Sequence, residues 1–215
     1  YTSGNLGYSR ILASKLANVT GYEVLSFEYR LAPEHHFPAP LEDVTKAWDY
    51  LMHLGYGARD IVVAGDSAGG NLALVLTMLL RDTGRLLPRR LVLMSPWTDM
   101  TASGKSYRER RDADPMITMN YIQAVRAAYA PGRELSSPML SPLFGDFDRF
   151  PPVLIQVGTN EILMSDSVRL RDRLVQAGIP CRLEVWPDMW HVFQMFPMKK
   201  ASQAMDSVGR FLLET

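Results

Sequence analysis

The chain holds a single cysteine, Cys181, among its 215 residues. One thiol excludes an internal disulfide and any zinc site built on paired cysteines. An excess of either charge is also missing: 23 Lys and Arg balance 23 Asp and Glu, for a formal net charge of zero. Polyanion-binding proteins usually carry a basic excess, so nucleic acid is not expected as a partner. No uninterrupted apolar run approaches about 18 residues, so no transmembrane segment is expected. The start, Tyr1-Thr2-Ser3-Gly4, has neither an initiator Met nor the features of a signal peptide, and it reads as the front of a processed or truncated piece. No repeat, low-complexity tract or linker breaks the chain, so residues 1–215 are expected to form one domain. With 47% apolar and 21% charged residues, there is enough apolar material for one sizeable core.

Strand-like runs alternate with helical patterns. Helices are expected over Leu6–Asn18, Leu41–Leu54, Asn71–Arg81, Ser165–Ala177 and Met198–Leu213, where apolar residues recur at helical spacing. One or two more belong to Pro115–Ala128, inside a helical insertion at about 100–145. Strands are expected at Glu23–Tyr29, Asp60–Gly65, Arg90–Ser95, Val153–Gly158 and Cys181–Trp186. This alternation implies an α/β fold, with a mostly parallel sheet covered by helices on both faces.

The sharpest local signal is Gly65-Asp66-Ser67-Ala68-Gly69-Gly70. It fits G-x-S-x-G between a buried strand and an apolar helix, the context a nucleophile elbow requires. Glycines at 65 and 69 are expected to relieve the tight turn and leave Ser67 exposed at the end of the strand. The helix that follows favours negative charge at its N-terminus, and the Ala68 N–H is one expected oxyanion donor. A serine nucleophile needs a base, and the base needs an acid. His35, His36 and His53 precede the elbow, whereas His191 follows the last strand, where the order Ser…acid…His puts the base. The acid is expected after the strand that ends at Gly158. Glu161 is the first carboxylate there; Asp166 is a second candidate, with helix capping as its bland role; Asn160 occupies a place where an Asp could stand but carries no charge.

These residues resemble the hormone-sensitive-lipase-like branch of the α/β-hydrolases, bacterial esterase family IV. Tyr29-Arg30-Leu31-Ala32-Pro33-Glu34 is similar to its YRLAPE segment and Gly65–Gly70 to its GDSAGG elbow. Ser95-Pro96-Trp97-Thr98-Asp99, Asp114-Pro115 and His191-Val192-Phe193 resemble three more of its segments, in the right order. Aligning Ala177-Gly178-Ile179 with the branch's helix end puts Glu161 on the acid position, with Glu where many members have Asp; Asn160 remains the rival position. The branch carries an HGGG oxyanion loop after its third strand, and Tyr1–Gly4 fits the continuation of that loop. The resemblance thus implies a chain that begins just after HGGG, without the cap helices and first three strands. Glu23–Tyr29 would then lack its neighbour, the edge at Ile61–Gly65 would be open, and the oxyanion hole would keep Ala68 alone.

The resemblance implies a serine carboxylesterase acting on a small-molecule ester with a short to medium acyl chain, with catalytic Ser67, His191 and Glu161 and no metal or organic cofactor. Met116, Met119 and Tyr121 stand where a pocket wall is expected, with core packing the equal alternative. Arg30 and Glu34 are expected to form a buried network that braces the loops beneath the site, Asp99 to order the turn after its strand, and Trp186 and Trp190 to pack at the rim. Three other readings stay open: a catalytically impaired fragment; a ligand-binding protein like the plant gibberellin receptors, which have lost the triad histidine kept here; and an amidase such as arylformamidase. A homodimer through the last strand and helix is left open. The sequence fixes no compartment, with a cytoplasmic one favoured.

Overall fold

The computed structural model describes residues 1–214. Two helices come first, α1 (Leu6–Thr20) and α2 (Ala39–His53). The Asn5 side chain caps α1 by accepting the Tyr8 N–H at 3.0 Å, and Gly21 ends the helix at φ 71°. Then come β1 (Val62–Asp66), α3 (Ala68–Asp82), β2 (Arg90–Met94), α4 (Ser106–Glu109), α5 (Met119–Tyr129), β3 (Val153–Gly158), α6 (Met164–Gln176), β4 (Cys181–Trp186) and α7 (Lys199–Leu213). The four strands pair in parallel in the order β1-β2-β3-β4. Parallel neighbours need long crossovers, and the helices between successive strands supply them.

The period-two pleat explains why the two central strands, β2 and β3, are largely apolar. Leu91, Leu93, Val153 and Ile155 point to one face, where they meet Leu74 and Met78 of α3 and Leu170 and Leu174 of α6. Val92, Met94 and Leu154 point to the other, against Leu12 of α1 and Met205, Val208 and Leu212 of α7. With both faces covered, alternation with polar residues disappears from Leu91–Met94 and Val153–Ile155, whereas the edge strand β4 keeps it at Arg182 and Glu184.

One expected element is absent: residues 23–29 form no strand. β1 lies at the edge of the sheet and this segment does not pair with it. An apolar run becomes a strand only through a ladder partner, and here Val24, Leu25 and Phe27 remain 40%, 44% and 38% exposed. Arg30 also departs from expectation. Its guanidinium binds Asp43 and Glu42 of α2, each at 2.8 Å, and Glu34 stands exposed outside this network. The Arg30 hydrogen bonds hold the Asp43 carboxyl down at about 2.

Asp166 turns out not to cap its helix. From the first turn of α6 its Oδ2 accepts the N–H groups of Thr98 and Asp99, both at 2.9 Å, and the Tyr107 hydroxyl at 3.1 Å. It thereby fixes the loop that leaves β2. Complete burial, reinforced by the nearby Asp99 charge, raises its acid from 3.8 to about 8. Between those values the unfolded chain releases a proton that the folded chain keeps. The stability contributed by protonated Asp166 is therefore fully present below about pH 4 and lost as pH rises through about 8. Asp166→Asn has no such proton. In thermal melts the melting temperature of Asp166→Asn relative to the parent is expected to climb by several degrees from pH 5 to pH 9, since about 1 kcal/mol corresponds to roughly 2–4 °C at this size.

Candidate active site

Every strand in this sheet delivers a loop to the same end, because all four run parallel. Open α/β sheets place their sites at the C-terminal ends of the strands. Ser67 follows β1, Ser95 follows β2, Glu161 follows β3 and His191 follows β4. Hydrogen bonds knit the loops together: Ser67 N–H donates to Met94 O at 2.9 Å, and Trp97 N–H donates to Ser67 O at 3.1 Å.

Ser67 sits at φ 53°, ψ −116°, between β1 and α3. A non-glycine residue at positive φ is strained and needs firm support from its surroundings. The support comes from glycine, though not at both expected positions. A Cβ on Gly65 would stand 2.2 Å from the Gly69 carbonyl oxygen, and one on Gly70 would stand 2.8 Å from Pro96 Cβ. Gly69 itself has room, with its nearest neighbour at 3.9 Å. The steric requirement thus falls on Gly65 and Gly70, where the strand and the next loop press against the helix start. Ala68 opens α3, so its N–H has no acceptor within its own helix and is free to face an anion.

Glu161 and His191 meet directly. Glu161 Oε2 lies 3.2 Å from His191 Nδ1, with the carboxylate fully buried and the imidazole nearly so. The other carboxylate oxygen, Oε1, accepts the Gly158 N–H at 2.6 Å and the Ser95 hydroxyl at 2.8 Å. The β3 and β4 loops are closed on each other to make this contact. Asn160 and Thr159 donate their N–H groups to Met189 O and Trp186 O at 2.9 and 3.0 Å. Gly158 permits the approach, since a Cβ there would lie 2.1 Å from Met189 O. Asn160 is thus engaged through its backbone, and the carboxylate on the imidazole is that of Glu161. Among the described residues the ring and the Ser67 hydroxyl are not hydrogen-bonded to each other. Such contacts often tighten only with substrate bound.

Ser95, which carried no site role in the sequence, joins the cluster in the structure. It is fully buried at φ 49°. Its hydroxyl donates to Glu161 Oε1 while accepting the Val192 N–H at 3.0 Å. One side chain therefore grips both the carboxylate and the backbone beside the histidine. The available signal was a polar residue closing the apolar run Leu91–Met94, at the end of a parallel strand where sites form. Ser95→Ala would leave a buried N–H unpaired and remove one donor from the carboxylate, a cost of about 1–3 kcal/mol. Steady-state ester hydrolysis by this variant is expected to show kcat reduced about 10–100-fold with KM little changed.

Asp66 flanks the nucleophile and accepts the Tyr8 hydroxyl at 2.9 Å. Burial raises its carboxyl, while the Tyr8 hydrogen bond and the nearby His191 pull it back down. Met116 and Tyr121 are 53% and 45% exposed, and Met119 packs against the core. Trp186 lies 5.6 Å from Phe193 and Trp190 5.5 Å from Phe196, ring to ring. Asp99 orders its turn by accepting from Thr101 and Ser103 and by pairing with Arg169 at 2.8 Å. His36 Nδ1 faces the Ala128 carbonyl at 2.7 Å, and His53 ends α2, so neither joins the cluster. Burial pushes the Cys181 thiol up to about 12, which makes it a poor nucleophile at neutral pH. Among the described residues no three His, Cys, Asp or Glu side chains group as metal ligands, and no helix is long and apolar enough to cross a membrane.

A family profile described as the alpha/beta hydrolase fold matches residues 1–195. An esterase of Acinetobacter venetianus is 36% identical over 211 residues, covering 97% of this chain and 70% of its own length. An acetyl-hydrolase of Streptomyces hygroscopicus is 35% identical, covering 99% of this chain and 72% of its own. Among solved structures, an esterase from the bacterial hormone-sensitive lipase family is 39% identical, with a TM-score of 0.95 over 97% of this chain and 71% of that one. Sequence, strand order and the loops after the strands agree: the chain belongs to the α/β-hydrolase fold family, in its branch of hormone-sensitive-lipase-like esterases.

Proposed function

We propose that the chain hydrolyses carboxylic esters of short- to medium-chain acids through Ser67, His191 and Glu161. The observation that carries this reading is the buried Glu161–His191 contact, formed at the same end of the sheet as the strained Ser67 turn. Ser67 Oγ attacks the ester carbonyl while His191 Nε2 takes its proton. Glu161 accepts the Nδ1–H, keeps the ring in that tautomer and stabilises the imidazolium. The oxygen that becomes negative is met by the Ala68 N–H at the start of α3. Collapse expels the alcohol, which takes the proton from His191 and leaves an acyl-Ser67 ester. Water, deprotonated by His191, then attacks that ester and releases the acid.

The short acyl preference is supported by the relative from Streptomyces hygroscopicus, whose name is acetyl-hydrolase. p-Nitrophenyl esters from acetate to laurate test it, with the matching acetanilide as an amide control. Turnover is expected to be highest between acetate and hexanoate, to fall for laurate and to be far slower on the amide. Equal turnover by Ser67→Ala would overturn the mechanism, and faster cleavage of the anilide would replace it with an amidase.

A further inference from the structure

Five of the chain's 23 basic side chains gather on one cleft of about 470 Å³: Arg59, Arg81, Arg85, Arg89 and Arg149. No carboxylate lines it. Three of the five pair with carboxylates just outside the lining, Asp49, Asp82 and Asp148, which leaves Arg59 and Arg89 as the local excess of positive charge. The cleft lies away from the ester site. Arg59 precedes β1, Arg89 precedes β2 and Arg149 precedes β3, whereas Ser67, Ser95 and Glu161 follow those same strands. A five-residue strand separates the two ends by roughly 17 Å at about 3.3 Å per residue.

Three of the guanidinium groups have carboxylate partners. Arg81 pairs with Asp82 at 2.7 Å, donates to the Asp146 carbonyl and lies over the Phe150 ring at 5.7 Å. Arg85 pairs with Asp49, and Arg149 with Asp148 at 3.0 Å. Arg59 and Arg89 are exposed and, among the described residues, have no carboxylate within 4.0 Å. Nor does the end of α3 require these side chains as caps. The carbonyls of Leu79, Leu80 and Arg81 already accept the N–H groups of Thr83, Arg85 and Gly84. Two unpaired guanidinium forks thus line a cleft whose other cations already have carboxylate partners. The planar fork matches phosphoryl oxygens in pairs. Leu86, 69% exposed, adds an apolar surface beside them.

We propose that this cleft binds an anion with clustered phosphoryl groups, either free in solution or carried on a lipid headgroup. Calorimetric titration of the full chain with inorganic pyrophosphate, at constant ionic strength, tests the free form. Sedimentation with phosphatidylcholine vesicles, with and without phosphatidic acid, tests the lipid form. Saturable binding in either arm, weakened at least tenfold in Arg59→Ser/Arg89→Ser, is the expected result. Arg59→Lys/Arg89→Lys keeps the charge but loses the fork, and should fall between the two. It also serves if the serine pair fails to melt cooperatively. The proposal is overturned if neither probe binds, or if replacing both arginines leaves binding unchanged. Neither readout involves ester turnover, so its failure is separate from any failure of the esterase reading.

Discussion

Ser67→Ala is expected to lower kcat for p-nitrophenyl butyrate by about 10⁴–10⁶-fold, a range set by serine-triad enzymes in which the nucleophile has been removed. The size follows from chemistry: without Oγ there is no acyl-enzyme, and water must attack the ester directly. The turn should survive, because alanine occupies the space of serine up to Cβ and Gly65 and Gly70 still allow the close packing around it. Alanine at φ 53° carries the same backbone strain as serine there. A melting temperature near that of the parent, together with lost turnover, would assign the chemistry to Oγ. A variant that keeps even a tenth of the rate would remove Ser67 from the reaction.

Glu161→Gln should cost nearly as much, about 10³–10⁴ in kcat, and the hydrogen bonds around the carboxylate say why. Oε1 faces two donors, the Gly158 N–H and the Ser95 hydroxyl. In glutamine the amide oxygen must stay on that side, since an NH₂ there would oppose the Gly158 N–H. The NH₂ then faces His191 Nδ1 and donates to it. That donation fixes the proton on Nε2, where the ring can no longer accept the Ser67 proton. Isosteric replacement of the acid in another serine triad costs about 10⁴ for the same tautomeric reason. Glu161→Gln should melt close to the parent, since both buried donors keep an acceptor. Full activity in this variant would shift the acid role elsewhere in the site.

The elbow was legible because its requirements are local. A turn that must pass from strand to helix within a few residues writes its glycines beside the serine, and Gly65 stands where a side chain would strike the Gly69 carbonyl. The apolar runs of β2 and β3 were equally legible, since burial on both faces leaves no polar alternation. Choosing between Glu161 and Asp166 was harder. Both are carboxylates just after β3, and only the packed loops separate them: one is turned onto His191, the other onto the backbone of Thr98 and Asp99. Ser95 was hidden for the same reason, because its partners lie 66 and 97 residues further along the chain.

By itself the sequence determined the alternation of strand and helix, the position of the strained serine and the histidine that follows the last strand. Periodicity and turn chemistry act over a few residues and need no distant partner. The tertiary structure decided which apolar runs became strands, which carboxylate faces the imidazole and where five arginines converge. Residues 23–29 have a strand-like composition yet stay unpaired, and β1 ends the sheet, because a β-ladder is a contact between segments and not a property of either one.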